Sequence, residues 1–248
     1  MKDGCVQTVE QQRLAAELAA KKIVEKRYPY CELALLAGSV VRHESTETSD
    51  LDLVIIMDKE RLQEAYRESF FLLDWPVEAF VHTEVSLAKF FTLDVERGRP
   101  SLPQMVQEGL LIKGSQQLSS RLKKEAKQLL IKGPKRWPTE EINRRRYFIT
   151  DLLDDLKGST IRAEQIFIVN ELIQQITEFI LGTNQKWQGN SKWTIRLLEK
   201  HDKNKATQLL QAMESFYQEK EKHPIIQFTI NTLKPYGGPY FEGFSIGK

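Results

Sequence analysis

Apolar residues in the first half of the chain form short, dense runs. Two of them, CELALLAG (31–38) and LDLVIIM (51–57), are apolar at nearly every position, which is typical of strands covered on both faces. The runs WPVEAFVHT (75–83) and GLLIKG (109–114) also predict strands. Because Pro76 has no amide hydrogen, we expect it at the first residue of its strand or on an edge of the sheet.

Between and around these runs, apolar residues recur at helical spacing. This spacing predicts helices over residues 8–27, 59–72, 86–97 and 116–131. An alternation of strands with helices favours an α/β domain.

The pattern changes at KGPKRWPTEE (132–141), where glycine and proline interrupt it. We predict a domain boundary here, which gives an N-terminal domain over 1–133 and a C-terminal domain over 134–248. Beyond the boundary only helical spacing follows, from Thr139 onward, so the second domain is predicted to be an all-α helical bundle. The final segment is loop-like, but its aromatic residues predict that it packs against other parts of the chain.

Composition indicates a globular protein of the cytoplasm. Of the 248 residues, 28% are charged and 41% hydrophobic. No apolar window is long enough to span a membrane, and the N-terminal stretch does not resemble a secretion signal. The formal net charge of +2 gives no basic field, so nucleic acid is not an expected partner. Cys5 and Cys31 are expected to stay reduced.

Two carboxylates stand at the start of the second apolar run. Asp50 and Asp52 flank one leucine, and residues two apart on a strand project to the same face, about 7 Å apart at their α-carbons. Like charges this close raise each other's free energy unless a cation lies between them. Since Mg²⁺ prefers carboxylate oxygens, waters and phosphates as ligands, the pair predicts a metal site that receives a nucleoside triphosphate.

A Gly-Ser pair ends the first apolar run, and ten residues separate it from Asp50. Glycine lets the backbone come close to a phosphate, and the hydroxyl of Ser39 adds a donor. The segment 40–49 is long enough for a short helix, whose first amide groups would favour an anion, and for a return loop. Gly38, Ser39 and the following Arg42 are therefore candidate nucleotide-binding residues.

These residues together carry a family resemblance. AGSVVRHESTETSDLDLVI (37–55) resembles the signature of the DNA polymerase β-like nucleotidyltransferase superfamily. The resemblance implies a nucleotidyltransferase fold with a small mixed sheet, and a third carboxylate on a neighbouring strand. Glu78 matches that carboxylate in order and context, whereas Asp74 is a weaker candidate because it precedes its strand.

The resemblance further implies a set of roles for these residues. Asp50, Asp52 and Glu78 would be catalytic and would bind two Mg²⁺ ions, while Gly38 and Ser39 would hold the triphosphate of ATP or another nucleoside triphosphate. A two-metal site stabilises the entering and leaving oxygens together, which accounts for three carboxylates.

An α/β module followed by a helical domain is similar to the aminoglycoside and lincosamide nucleotidyltransferases of bacteria. This similarity implies adenylyl transfer from ATP to a hydroxyl of a small, antibiotic-like acceptor, with release of pyrophosphate. Related enzymes can build sites across a homodimer, but neither the oligomeric state nor the nucleobase preference can be read from this sequence.

In the helical part, NQKWQGNSKWTIRLLEK (184–200) loosely resembles a tryptophan- and lysine-containing segment of those enzymes. Lys192 is a candidate contact to the triphosphate, or else a solvated lysine. Trp187 and Trp193 are interpreted as core residues or as platforms for a ring.

The sequence does not identify the general base. Glu164, Glu171 and Glu178 recur every seven residues and lie on one side of a helix, where they form either its solvated face or a base toward the substrate. His43 and His82 lie close to the motif in sequence. His82 follows Glu78 by four along the strand and therefore lies on the same face, where it is interpreted as a surface histidine or as a contact to the substrate.

Two rival functions remain. The same fold can serve as a non-catalytic nucleotide-binding or antitoxin-like module. Alternatively, Arg196 and His201 have the spacing seen in helical HEPN ribonucleases, although residues five apart share a helix face only roughly.

Overall fold

The computed structural model describes residues 13–247, which form two compact units. One contains residues 13–94 and 101–131, and the other contains residues 95–100 and 132–247. The predicted division into 1–133 and 134–248 stays a prediction, because compactness does not test whether either part folds alone.

The first unit is built on a five-stranded sheet with the order β3-β4-β2-β1-β5. β2 and β4 run parallel, while the pairs β1–β2, β1–β5 and β3–β4 are antiparallel. The small mixed sheet predicted from the sequence is therefore confirmed. Its strands are β1 (Leu33–Ala37), β2 (Leu51–Ile56), β3 (Tyr66–Leu72), β4 (Trp75–His82) and β5 (Leu110–Gly114).

Helices cover both faces of this sheet. Along β2, Leu53 and Ile55 face a core that includes Ile23 of α1 (Ala16–Arg27). Val54 and Ile56 face the opposite core, which is closed by α2 (Glu84–Arg97), α3 (Ser101–Glu108) and α4 (Gln116–Lys132). Since each fully buried aliphatic side chain contributes about 1.5–3 kcal/mol, both sets of side chains hold the central strands in register.

The prediction of a helix over residues 59–72 is wrong. Residues 66–72 form β3, an edge strand that pairs with β4 through a two-residue turn. Leu73 and Asp74 take positive φ angles of 56° and 62° in that turn. Such turns usually carry Gly or Asn, so the sequence lacked the ordinary signal for a hairpin.

Pro76 is the second residue of β4, an interior strand of the sheet. Its missing amide hydrogen is tolerated because the parallel ladder with β2 begins only at Val77.

The second unit is helical, as predicted. Ile149, Val169 and Phe179 lie in its fully buried core. The segment 223–233 is a helix that the periodicity did not predict, and a π-helical turn follows Glu214. Its helices are α5 (Thr139–Gly158), α6 (Arg162–Thr183), α7 (Lys192–His201), α8 (Lys203–Glu214) and α9 (His223–Leu233).

The aromatic C-terminal segment packs as expected. The ring of Phe244 stacks on Tyr147 of α5, with ring centroids 3.8 Å apart. The backbone N–H of Tyr240 donates to the hydroxyl of Thr150 at 2.9 Å. These contacts fix the segment against the helical core.

Among residues 13–247, no helix combines the length and the apolarity needed to cross a bilayer. Cys31 is a buried free thiol, whereas Cys5 lies outside the described residues.

Candidate metal and nucleotide site

The three predicted carboxylates come together at one end of the sheet. Asp52 lies on β2 directly opposite Glu78 of the parallel strand β4, and Asp50 precedes β2 by one residue. One carboxylate oxygen from each of the three lies within 4.8 Å of the others. In the described part of the chain, no other group of three or more His, Cys, Asp or Glu residues has this geometry.

The surroundings of Asp52 destabilise its ionised carboxylate. Burial raises the pKa of its carboxyl to about 7, and the neighbouring charges of Asp50 and Glu78 add to the effect. Arg42 and Arg67 act in the opposite direction. A divalent cation among these oxygens would offset the repulsion, and the hard carboxylate donors suit Mg²⁺. The residues therefore fit the metal site that the family resemblance implies.

Gly38 supplies the space that Asp52 occupies. Its φ of +79° is one that L-residues rarely adopt, and a β-carbon at this position would lie 2.0 Å from Oδ2 of Asp52. Glycine is thus required for the backbone conformation and also for the placement of the carboxylate. From the sequence we expected Gly38 to let the backbone approach a phosphate. The space needed by the Asp52 carboxylate is a second reason for glycine at this position.

The segment after Gly38 does not form the predicted short helix. The amides of Val41 and Arg42 donate to the Gly38 carbonyl at 3.3 and 3.4 Å, which makes a single turn. The following run of Ser, Thr and Glu residues competes with helical hydrogen bonding. Residues 40–49 therefore offer no helix N-terminus to an anion.

The hydroxyl of Ser39 donates to that of Ser49 at 3.2 Å and so closes the loop just before Asp50. A nucleotide contact of Ser39 is untested and stays a prediction.

Arg42 lies beside the carboxylates and is itself paired with acids. Its guanidinium forms ion pairs with Glu44, at 3.4 Å, and with Glu108 at the end of α3. Gln104 also donates to Glu108, at 2.8 Å. The positive charge of Arg42 lowers the pKa of Asp52, so Arg42 acts electrostatically on the carboxylate cluster. The predicted role of Arg42 in nucleotide binding is untested.

A second arginine was missed by the sequence reasoning. Arg67 of β3 forms an ion pair with Glu78 and lies over the ring of Phe80, 4.8 Å from its centroid. It was missed because this segment was interpreted as a helix. The alternation of Glu68, Phe70 and Leu72 toward one face was the available signal for a strand.

Asp74 does not join the group. It lies in the exposed turn between β3 and β4, so Glu78 is the third carboxylate.

His82 corrects an expectation. We expected a surface histidine, but only 4% of it is exposed, and burial lowers its pKa to about 4. Its Nδ1 lies 3.3 Å from the hydroxyl of Ser86, and its ring meets Phe90 edge-on, with centroids 4.9 Å apart. His43 is exposed.

Glu178 differs from the other two glutamates that repeat along α6. It forms ion pairs with Arg99, at 3.0 Å, and with Arg145, at 2.8 Å. Burial raises the pKa of Glu178, but hydrogen bonds from Gln174 and Arg145 outweigh this effect and lower it. A carboxylate held in this way is a poor proton acceptor, which disfavours Glu178 as the general base. Glu164 and Glu171 are exposed on the helix surface.

The remaining candidates lie in the helical unit. Lys192 is the exposed first residue of α7, and its role toward a triphosphate stays a prediction. Trp187 and Trp193 are partly buried. Arg196 and His201 both lie on α7, where the Arg196 guanidinium is 5.3 Å from the centroid of the Trp193 ring.

Comparison with known proteins gives one family assignment. The profile of the family described as "Nucleotidyltransferase domain" matches residues 19–174. No curated protein matches the chain significantly. A solved structure of a nucleotidyltransferase-like protein from Exiguobacterium sibiricum 255-15 is similar to this chain, with 13% identity and a TM-score of 0.48. The match covers 88% of this chain and 74% of that protein.

Proposed function

The chain belongs to the nucleotidyltransferase domain family, and from this membership we propose that it transfers a nucleoside monophosphate to a small molecule. The donor is a nucleoside triphosphate, which we take to be ATP, and the acceptor is a hydroxyl group. Pyrophosphate leaves as the new phosphoester forms.

The convergence of Asp50, Asp52 and Glu78 carries the proposal. Three carboxylate oxygens within 4.8 Å are costly to hold together unless a multivalent cation is part of the working site. A folded protein keeps such an arrangement when function requires it, because the cluster lowers stability in the absence of the ion. A site degraded to a purely structural role would have no need of all three acids.

The two aspartates share a role in this scheme, and the glutamate has another. Asp50 and Asp52 would hold the ion that contacts the triphosphate, and Glu78 would complete a second site with them. The ions, when bound, supply Lewis acidity at the phosphate and lower the pKa of the acceptor hydroxyl. Gly38 keeps the Asp52 carboxylate in place through the space it leaves, and Ser39 and Arg42 are proposed to contact the phosphates.

The acceptor is proposed to be a small hydroxylated compound of the aminoglycoside or lincosamide kind. The resemblance of the two-part architecture to the enzymes that modify those antibiotics supports this class. The formal net charge of +2 argues against a nucleic-acid acceptor, since affinity for nucleic acid rests on neutralising phosphates. Lys192 is proposed as a contact to the triphosphate.

The test is a transfer assay with α-labelled nucleoside triphosphates and Mg²⁺. The four nucleotides are each incubated with aminoglycosides, lincosamides and hydroxylated metabolites, and labelled product and pyrophosphate are measured. We expect ATP to be the best donor, and the variant Asp52→Asn to lose at least about 10³-fold in rate. Asp74→Asn, which changes an aspartate outside the cluster, is the matched control and should retain wild-type activity.

Two results would overturn the proposal. Label transfer that persists in Asp52→Asn would show that the cluster is not the catalytic centre. Binding of ATP and Mg²⁺ by calorimetry, with no pyrophosphate released under any acceptor, would favour the non-catalytic nucleotide-binding module instead.

A further inference from the structure

Glu78 lies on β4 and has a direct neighbour on each of the two adjacent strands. On β2 its direct neighbour is Asp52, and on β3 its direct neighbour is Ser69. Ser69 is small and leaves the space beside Glu78 open to a longer side chain. The acid therefore has one acidic flank and one flank that can accept a partner.

Arg67 occupies that second flank. It lies opposite Phe80 on the antiparallel pair β3–β4, so that Glu78 is its diagonal neighbour, a distance that long side chains span. The guanidinium forms an ion pair with Oε2 of Glu78 and lies over the Phe80 ring at 4.8 Å. The carboxylate and the ring together fix where this positive charge lies.

The charge is placed to act on the whole carboxylate cluster. Glu78 contributes an oxygen within 4.8 Å of oxygens of Asp50 and Asp52, so a cation held by the three would lie close to the guanidinium. Both are positive, and both are attracted to the same carboxylate. Because β3 is an edge strand and the Arg67 side chain is 56% exposed, Arg67 can leave Glu78 without disturbing the core.

We propose that Arg67 is the counterion of the third carboxylate in the metal-free protein, and that it competes with a divalent cation for Glu78. It is a positioning residue that acts through Glu78, and it sets how much free cation is needed to fill the site. This inference rests on the proposed function, because it concerns the same carboxylates. The repulsion between a unit charge and a divalent ion about 7 Å apart in a water-like dielectric corresponds to about a tenfold change in affinity.

The chain contains a matched control arginine. Arg27 forms an ion pair with Glu68 at 2.8 Å and lies over the Phe70 ring at 4.5 Å. The type of contact and the exposure, 44% for Arg27 and 56% for Arg67, are similar. Glu68, the acid that pairs with Arg27, is not part of the carboxylate cluster. Removing the charge of Arg27 therefore removes an ion pair of β3 without acting on Glu78.

The experiment measures Mn²⁺ binding to the full chain by calorimetry and by the paramagnetic signal of free Mn²⁺. We expect Arg67→Gln to bind Mn²⁺ about tenfold more tightly than wild type, with Arg67→Lys and Arg27→Gln within about threefold of wild type. Mn²⁺ should also raise the melting temperature more in Arg67→Gln than in wild type, because tighter binding to the folded state stabilises it further.

Each contrary outcome has a separate meaning. Unchanged affinity in Arg67→Gln would make the pair an ordinary surface contact, and weaker binding would make Arg67 a support that orients Glu78 for the ion. Either result overturns this inference and leaves the proposed function intact. Absence of Mn²⁺ binding in the wild type would overturn both.

Discussion

Gly38 and Asp52 are fitted to each other across the β1–β2 pair. The carboxylate of Asp52 fills the space that any side chain at residue 38 would need, since a β-carbon there would lie 2.0 Å from Oδ2. The glycine of the motif and the second aspartate thus form one structural unit. A change at the glycine must displace a proposed metal ligand.

Gly38→Ala is therefore expected to damage the site as well as the fold. The positive φ of +79° alone costs about 1 kcal/mol for a residue with a β-carbon, and the displaced carboxylate should weaken Mn²⁺ binding at least tenfold. Gly238→Ala is the matched control, because Gly238 has a φ of +75° with no atom within 4 Å of the added carbon. If both variants bind Mn²⁺ equally well, the steric link to Asp52 is wrong.

The aspartate pair could be predicted from local sequence, because the spacing of Asp50 and Asp52 places both on one face of a strand. Glu78 was expected only from the family resemblance, and the parallel pairing of β2 with β4 places it opposite Asp52. Strand pairing beyond the local sequence could not be deduced, so Arg67 was missed with β3.

Two other predictions, for His82 and for the segment 40–49, were wrong for structural reasons. His82 was expected at the surface, yet α2 covers this face of the sheet and brings Phe90 against its ring. The segment 40–49 has the length for a helix, but its polar side chains bond to the backbone and to each other instead, as Ser49 does with the Thr46 amide at 2.8 Å. Sequence patterns report local preference, whereas these outcomes depend on neighbours from other elements.

Asp52→Asn is expected to stabilise the metal-free protein. Burial and two neighbouring acids make an ionised Asp52 unfavourable, and the neutral amide of similar shape removes that repulsion. We expect a gain of roughly 2–4 kcal/mol in the free energy of unfolding at pH 8 without divalent ions. Urea denaturation measures this gain, with Asp74→Asn changing stability by less than about 0.5 kcal/mol. A destabilised Asp52→Asn would contradict the repulsion described for the cluster.

Glu178 is expected to be structural in the helical unit. Glu178→Gln removes the acid that pairs with Arg99 and Arg145, so two arginines lose their partner. Because Arg99 is partly exposed and screened by solvent, we expect a loss of about 2 kcal/mol in the free energy of unfolding. Glu171→Gln, on the exposed face of the same helix, should change it by less than about 0.5 kcal/mol.

The transfer assay separates this structural role from that of a general base. With a structural role, Glu178→Gln keeps the pH profile of the wild-type rate at temperatures where both proteins are folded. A lost acidic limb of that profile in Glu178→Gln, with folding intact, would instead identify Glu178 as the base, because protonation of a general base lowers the rate toward low pH.

His82 should make the fold sensitive to mild acid. Its pKa is lowered from 6.5 to about 4 by burial, so between these pH values the unfolded chain binds a proton that the folded chain does not. The contribution of His82 to the free energy of unfolding is therefore fully present above pH 6.5 and decreases as the pH drops, by about 3 kcal/mol at pH 4. The raised pKa of Asp52 gives a slope of the opposite sign in the same range, so the measurement is made in Asp52→Asn protein.

Urea denaturation between pH 7 and pH 4 compares that protein with versions that also carry His82→Leu or His43→Asn. We expect His82→Leu to remove most of the loss toward acid, because leucine keeps the apolar packing against Phe90 and has no proton to bind. His43→Asn should keep the full loss, since His43 is exposed and its φ of 57° suits asparagine. Equal slopes in all three proteins would mean that His82 is protonated in the folded state as readily as in the unfolded chain.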